Sequence, residues 1–152
     1  MNSKTLAIAA IVLWGFSAAF VGYKFVTGTT ITQEDGREAI VLKASERNLI
    51  LTEMRGMLAA VQEIIADANA GEMEAVKATA HTVGLAEVAG VPAELMLKLP
   101  MDFKKLGRAT HAGFDAVGLA ADFDAAQVFE KLEENLSRCV ACHASYQFIQ
   151  AP

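Results

Sequence analysis

The stretch Asp122–Tyr146, DFDAAQVFEKLEENLSRCVACHASY, combines a helical pattern with the motif CVACH at residues 139–143. Apolar residues recur along it at alternating spacings of three and four, which predicts a helix with one buried face. The residues on that face are Phe129, Leu132, Leu136, Cys139, His143 and Tyr146. C-x-x-C-H is the attachment signature of a c-type haem, whose vinyl groups form thioethers with the two thiols while the histidine ligates iron. We therefore expect one covalent haem c, attached to Cys139 and Cys142, with His143 as the proximal ligand.

Other chemistries also use a pair of cysteines. A thioredoxin-like C-x-x-C belongs near a βαβ pattern, which this sequence does not show. A structural zinc site needs four ligands, usually including a second Cys or His pair, and the chain has only two cysteines. A disulfide between Cys139 and Cys142 would close a very small loop and leave His143 without a role. A chance match to a five-residue pattern also stays open, although this one uses both cysteines of the chain.

The N-terminal region is apolar enough to enter a membrane. Residues 5–23 carry no charged side chain, and roughly 20 such residues cross the hydrocarbon core. The sequence Ser17-Ala18-Ala19 also fits a signal-peptidase site, but the apolar run continues past it. We predict an uncleaved signal anchor over residues 1–26, with Lys4 inside. The rest of the chain would then lie on the periplasmic side of the bacterial cytoplasmic membrane, where c-type haem is attached.

The remaining length and charge indicate a single exported domain. The 152-residue chain is 53% hydrophobic and has a net charge of −5, which argues against nucleic acid and mildly favours a basic partner. The polar residues 27–36 lack periodicity and are interpreted as a linker, which leaves residues 37–152 as the domain. The domain shows no acid–base pair or nucleophile constellation, so we do not expect an enzyme.

Four amphipathic helices are predicted in that domain, and no strand. They run from Arg37 to Gly71, from Glu72 to about Val88, from Asp102, and from Asp122. Gly71 suits the left-handed position that often ends a helix. The expected buried residues of the first helix are Ala44, Leu51, Met54, Leu58, Val61, Ile65 and Ala68; those of the second are Met73, Val76, Ala80 and Val83; those of the third are Phe103, Gly107, Thr110, Phe114, Val117 and Ala121. The pattern predicts an all-α four-helix bundle with a cofactor in its core.

Three glycines interrupt the third helix, namely Gly107, Gly113 and Gly118. Each costs helix stability, so each is expected to have a packing reason. The missing side chains would allow close approach either of a flat macrocycle or of a tightly crossing neighbouring helix, and we weigh these two explanations equally.

Residues 37–150 resemble the class II cytochromes c, the cytochrome c′ group. The shared features are four helices, C-x-x-C-H on the last one, and Tyr146 three residues after His143. The family often has a basic residue after that tyrosine, where this chain has Gln147. The resemblance implies that Tyr146 belongs to the cofactor site and that the first helix presents a residue to the distal face of iron. Low-spin members use Met there; high-spin members place an apolar side chain there and leave iron five-coordinate. Members often dimerise through the first two helices, so a homodimer stays open.

The distal position has several candidates. Met54 lies on the predicted seam and is our first choice as thioether ligand, with Met57 second. The family's usual arginine, four residues before the distal position, corresponds to Arg47 and would instead place Leu51 over an open iron site. Both methionines would serve equally well as core filler.

Three further side chains have weaker links to the site. His81 and His111 are the other possible iron ligands, since bis-His ligation is chemically reasonable, but both rank below Met54. His81 lies off its apolar stripe and is expected in solvent, whereas His111 is expected near the haem edge. Arg47 would pair with a haem propionate, or lie extended along the end of the bundle with its charge in water.

The expected function is one-electron transfer by a membrane-tethered cytochrome between redox protein partners or with a membrane redox complex. One alternative is a five-coordinate gas-binding or sensing module. The other is an accessory haem subunit of a larger membrane complex.

Overall fold

The computed structural model describes residues 2–151 of the chain, which are mostly helical. In chain order the elements are α1 (Ser3–Thr27), β1 (Thr30–Thr32), β2 (Glu38–Leu42), α2 (Ala44–Ala70), α3 (Met73–Thr82), a 3-10 turn (Glu87–Gly90), α4 (Ala93–Met96), α5 (Met101–Ala120), α6 (Ala125–Ser145) and β3 (Tyr146–Gln150). Helix α5 packs against α3 and α6, and α2 also contacts α3 and α6.

Helix α1 is the apolar N-terminal segment. Its most apolar 18-residue window has a mean hydropathy of 2.0, and none of the residues of the helix is buried. Among the described residues it is the one helix long and apolar enough to cross a membrane. A helix with apolar residues on every side, which contacts the rest of the protein only near its C-terminal end, is suited to lipid rather than to a protein core.

A three-stranded sheet stands where the sequence predicted a linker and the start of a helix. Strand β1 runs antiparallel to β2, and β2 runs parallel to β3. The prediction of helix from Arg37 was therefore wrong, and the boundary expected between residues 36 and 37 divides the β1–β2 hairpin. The strands have only three and five residues, too few for alternation to stand out from the apolar run around Ile40 and Leu42. Those two side chains are fully buried, so tertiary packing of the sheet decides the local structure.

Helix ends follow local capping groups. The Lys43 amide donates to the Glu46 carboxylate at 2.8 Å, which marks the start of α2. Gly71 follows α2 with φ 79° and ψ 11°, as predicted for a left-handed helix end. Helix α3 ends at Thr82, earlier than expected, and three residues later the Leu85 amide donates to the Asp115 carboxylate of α5 at 3.0 Å. Asp124 caps α6 through the Gln127 amide at 2.9 Å.

The buried residues form two apolar clusters. The first joins α2, α3, α5 and α6, and includes Ile64, Val76, Phe114 and Val128, all fully buried. The second lies by the sheet and contains Ile40, Leu42, Ile50, Leu95, Leu99 and Phe103. The predicted faces of α3 and α5 largely coincide with the buried ones.

The predicted seam of α2 was partly wrong. Its buried residues are Ile50, Ala60, Ile64 and Ala68. Leu58, expected on the seam, is 70% exposed, and Ile65 is 38% exposed. The helix carries apolar residues on more than half of its circumference, so two stripes fit the same period, and only the neighbouring helices select one.

Candidate haem site

A cavity of about 720 Å³ is lined by residues of α2, α5 and α6, together with Phe25 of α1 and side chains from the 3-10 turn and α4. Its volume lies within the range of cofactor and small-molecule pockets, roughly 300–1,000 Å³. The walls are mainly aliphatic, aromatic and thioether side chains, with a few charged groups. The helices that the sequence assigned to the bundle therefore leave room between them for a large apolar molecule.

The C-x-x-C-H motif lies on the wall of this cavity. Cys139, Cys142 and His143 all face it, together with Leu136 one turn before Cys139. Residues at i, i+3 and i+4 share one face of a helix, which is why a single helix presents both thiols and the imidazole together. The cysteines are half-buried and His143 is exposed along the cavity.

The predicted buried face of α6 therefore needs a correction. The residues of α6 that reach the protein core are Val128, Leu132 and Asn135, whereas Leu136 and His143 border the cavity. Tyr146, expected on the helix, is the first residue of β3 because α6 ends at Ser145. The apolar period indicated which face of α6 needs to be covered. It could not indicate whether that face packs against protein or borders a cavity.

Burial keeps both thiols protonated more readily than a free cysteine. Burial raises the pKa of the Cys139 thiol, and burial together with the neighbouring Cys139 raises the pKa of Cys142 to about 11. The two cysteines are free and are not joined in a disulfide. A redox-active C-x-x-C usually has a thiolate with a lowered pKa, often at a helix N-terminus. Here the pair lies in the last two turns of α6, with both pKa values raised, so its environment does not favour thiol–disulfide exchange.

Thioether side chains of α2 also border the cavity. Met54 and Met57 of α2 both line it, and so does Leu51. Met54 packs against the same apolar cluster as Cys142, whereas Met57 packs against the other cluster. Met54 therefore shares an apolar cluster with a cysteine of the motif, and Met57 does not.

Two more methionines line the cavity and were missed by sequence reasoning. Met96 ends the short helix α4, and Met101 begins α5. Neither lies on a stripe long enough to show a period, so no signal in the sequence pointed to them.

The two other histidines occupy different environments. His81 is exposed, with its Nδ1 3.7 Å from Asp115, as expected for a solvated residue. His111 lines the cavity but is only 3% exposed, and both of its ring nitrogens are engaged. Nδ1 lies 2.8 Å from the Val83 carbonyl and Nε2 lies 2.8 Å from the Glu53 carboxylate. His111 therefore has no ring nitrogen free for a metal without breaking one of these contacts.

Arg47 and Tyr146 lie behind the cavity rather than on its wall. The Arg47 Nε reaches the Phe148 carbonyl of β3 at 3.5 Å, a long contact. Tyr146 packs edge-on against Phe103, with 5.5 Å between ring centroids, and Phe103 in turn lines the cavity. Burial raises the pKa of the Tyr146 hydroxyl. Tyr146 thus supports the wall through Phe103.

Cations that face the cavity come from α2 and α5. Arg55, Lys104, Lys105 and Arg108 line it. Lys105 is paired with Asp102 at 2.9 Å, whereas Arg108 makes no ion pair or side-chain hydrogen bond within residues 2–151. An uncommitted guanidinium beside an apolar cavity is suited to bind a carboxylate of the cavity's occupant. Arg108 therefore fits a propionate better than the sequence candidate Arg47 does.

The glycines of α5 divide between the two expected reasons. A methyl group at Gly113 would overlap the Asn135 side chain, and one at Gly118 would lie 3.4 Å from the Ala80 Cβ, so both allow close helix packing. Gly107 differs, because a methyl group there meets nothing within 4 Å and the residue lines the cavity. Its missing side chain widens the space available to a flat ligand.

These observations fit a haem. The cavity is large and apolar, both thiols and the imidazole share one wall, and thioethers and a free cation lie on the others. Within the described residues, no three His, Cys, Asp or Glu side chains meet as a cluster that would bind a bare metal ion.

Comparison with protein-family models, curated proteins and solved structures finds no match to this chain.

Proposed function

We propose that this protein is a membrane-anchored, mono-haem c-type cytochrome of the class II type that transfers single electrons. Helices α2, α3, α5 and α6 would form its four-helix bundle, with the haem domain on the periplasmic side of the cytoplasmic membrane. The observation that carries the proposal is the meeting of Cys139, Cys142 and His143 from α6 with Met54 from α2 around one apolar cavity. A bound haem supplies an iron that gains or loses one electron.

Each part of the chain has a distinct role in this proposal. Cys139 and Cys142 hold the cofactor covalently, and His143 supplies the proximal nitrogen. With a haem in place, the apolar walls of the cavity would limit the water around it and so reduce the solvent rearrangement that accompanies a change of charge. Met54 supplies a thioether, and such a ligand raises the reduction potential by favouring ferrous iron.

A gas-binding or sensing role is the second candidate. Leu51 lines the same cavity one turn before Met54, so an apolar side chain is also available for the distal face. With Leu51 in that place, iron would be five-coordinate and open to a small gas such as carbon monoxide.

Covalent attachment is tested first. Purified protein should retain its pigment in acidified acetone, and replacement of both Cys139 and Cys142 by Ala should release it. Pigment that remains bound to the double variant would refute thioether attachment.

The absorption spectrum then separates the two roles. We expect a low-spin wild type that becomes high-spin with a lower reduction potential in Met54→Ala, while Met57→Ala changes little. A wild type that is already high-spin and binds carbon monoxide readily would instead support Leu51 and gas binding.

A further inference from the structure

The connection between α1 and the rest of the protein is a fixed joint. The Thr29 amide donates to the Lys98 carbonyl at 2.7 Å. Gly28 has φ 67° and ψ −151°, a region open in practice only to glycine. A methyl group there would lie 2.6 Å from the Pro100 nitrogen and 2.8 Å from the Leu99 carbonyl carbon. The backbone of residue 28 is therefore packed directly against the loop that precedes α5.

A lysine from α5 reinforces this joint. Lys104 Nζ lies over the Phe25 ring at 3.6 Å from its centroid. It also donates to the carbonyls of Phe25 and Met96. Burial lowers the pKa of Lys104, which is the expected effect for an ammonium group that is partly withdrawn from water. Contacts of this kind are absent from a flexible tether, so α1 and the domain are held in one orientation.

Two residues of this joint also line the cavity. Phe25, at the end of α1, and Lys104, which covers it, both line the candidate haem cavity. Phe25 comes two residues after Tyr23, the last residue of the uncharged span, so its Cα is about 3 Å further along the helix. The headgroup layer is about 5–7 Å thick on each side of the hydrocarbon core. With residues 5–23 across the hydrocarbon core, as the proposed function has them, one wall of the cavity would lie at the depth of the lipid headgroups.

We propose that this joint holds the haem cavity against the membrane surface, and that the electron partner is a redox centre of an integral membrane protein. This inference rests on the proposed electron transfer and adds the location of the partner. Each exchange moves one electron, so one protein is oxidised and the other reduced, and no bond is made or broken. Because electron transfer falls steeply with distance, a fixed wall at the headgroups favours a partner embedded in the same bilayer. A freely diffusing periplasmic protein would gain nothing from the joint.

The joint is tested by one glycine and its matched control. Gly28→Ala introduces both the backbone strain and the overlap with the loop before α5. Gly36→Ala also replaces a glycine with positive φ, at 85°, but a methyl group there meets nothing within 4 Å. Insertion of Gly-Ser-Gly-Ser between residues 28 and 29 is a second way to release the joint without changing any side chain.

Two measurements on the haem-loaded full chain in native membrane vesicles are compared. The first is quenching of a headgroup-labelled fluorescent lipid by the haem, which reports the distance of the cavity from the membrane. The second is the rate of haem reduction, either by vesicles supplied with NADH or by added ascorbate. We expect Gly28→Ala and the insertion to reduce the quenching and to slow NADH-driven reduction about tenfold, equivalent to about 1.4 kcal/mol. Ascorbate should reduce all variants at the same rate, and Gly36→Ala should match the wild type.

The outcomes are distinct. Reduced quenching with an unchanged NADH-driven rate would show that the partner diffuses, and would overturn the inference. Quenching that is unchanged in both released variants would show that the joint does not set the distance, and would also overturn it. Protein without a haem absorption band would refute the proposed function itself, which the spectrum reveals before any rate is measured.

Discussion

The pair Glu53–His111 on the cavity wall should make the stability of the protein depend on pH. A carbonyl can only accept a hydrogen bond, so the 2.8 Å contact of Nδ1 with Val83 places a proton on that nitrogen. The 2.8 Å contact between Nε2 and the Glu53 carboxylate then requires a second proton between them. Burial acts to lower the His111 pKa, but the bonds to Glu53 and Val83 and the charge of Glu87 outweigh it, so the pKa is raised above 6.5.

The sign of the effect follows from that shift. A group whose pKa is raised on folding binds its proton more tightly in the folded protein, so its contribution is complete below pH 6.5 and is lost as the pH rises through the folded pKa. A hydrogen bond to a charged group contributes about 1.5–3 kcal/mol. We therefore expect the free energy of unfolding of the wild type to fall by about that amount from pH 6 to alkaline pH, with other groups equal.

Glu53→Gln provides the decisive variant. Its amide can donate to the neutral Nε2 of His111, so it retains a hydrogen bond without needing the extra proton. It should be less stable than the wild type at pH 6, more stable at alkaline pH, and nearly independent of pH between them. Glu87→Gln, which changes a more distant charge of the same type, should keep most of the wild-type dependence. Urea unfolding of detergent-solubilised protein, followed by circular dichroism, measures all three. Parallel pH curves for Glu53→Gln and the wild type would refute the reasoning.

Two further comparisons test the packing and the charge of the site. Gly113→Ala should lower the free energy of unfolding by about 1–3 kcal/mol because its methyl group overlaps Asn135. Gly107→Ala should leave helix packing intact and instead alter the haem spectrum. Equal losses of stability in urea unfolding of the two variants would contradict this. Arg108→Gln should lower the reduction potential in a redox titration because a cation beside the cavity favours the reduced state, and Arg47→Gln should change it less; the reverse order would restore Arg47 as the propionate partner.

The motif residues show how far sequence spacing reaches. Cys139, Cys142 and His143 lie at i, i+3 and i+4, so any helix presents them on one face whatever surrounds it. The span of residues 5–23 is equally local, because length and lack of charge alone decide whether a helix can cross a bilayer. Gly71 and Asp124 likewise act within a few residues of the helix ends that they mark.

Other features depended on partners far away in the chain. Strand β2 pairs with β3, more than a hundred residues later, so its short apolar run carried no sign of its neighbour. The stripe of α2 was ambiguous for the same reason. Leu58 and Ile64 belong to two different stripes that both follow the helical period, and only packing against neighbouring helices buries the stripe of Ile64.

The sequence by itself determined that the chain is mostly helical, that its N-terminal helix is apolar enough to span a membrane, and that two thiols and an imidazole share a helix face. Those properties follow from periodicity and composition within single elements. Only the tertiary structure decided that Arg108 rather than Arg47 borders the cavity, that Met96 and Met101 join Met54 on its walls, and that α1 is fixed to the domain. The physical reason is that a cavity and a joint are each built from separate segments, and no short-range pattern records which segments will meet.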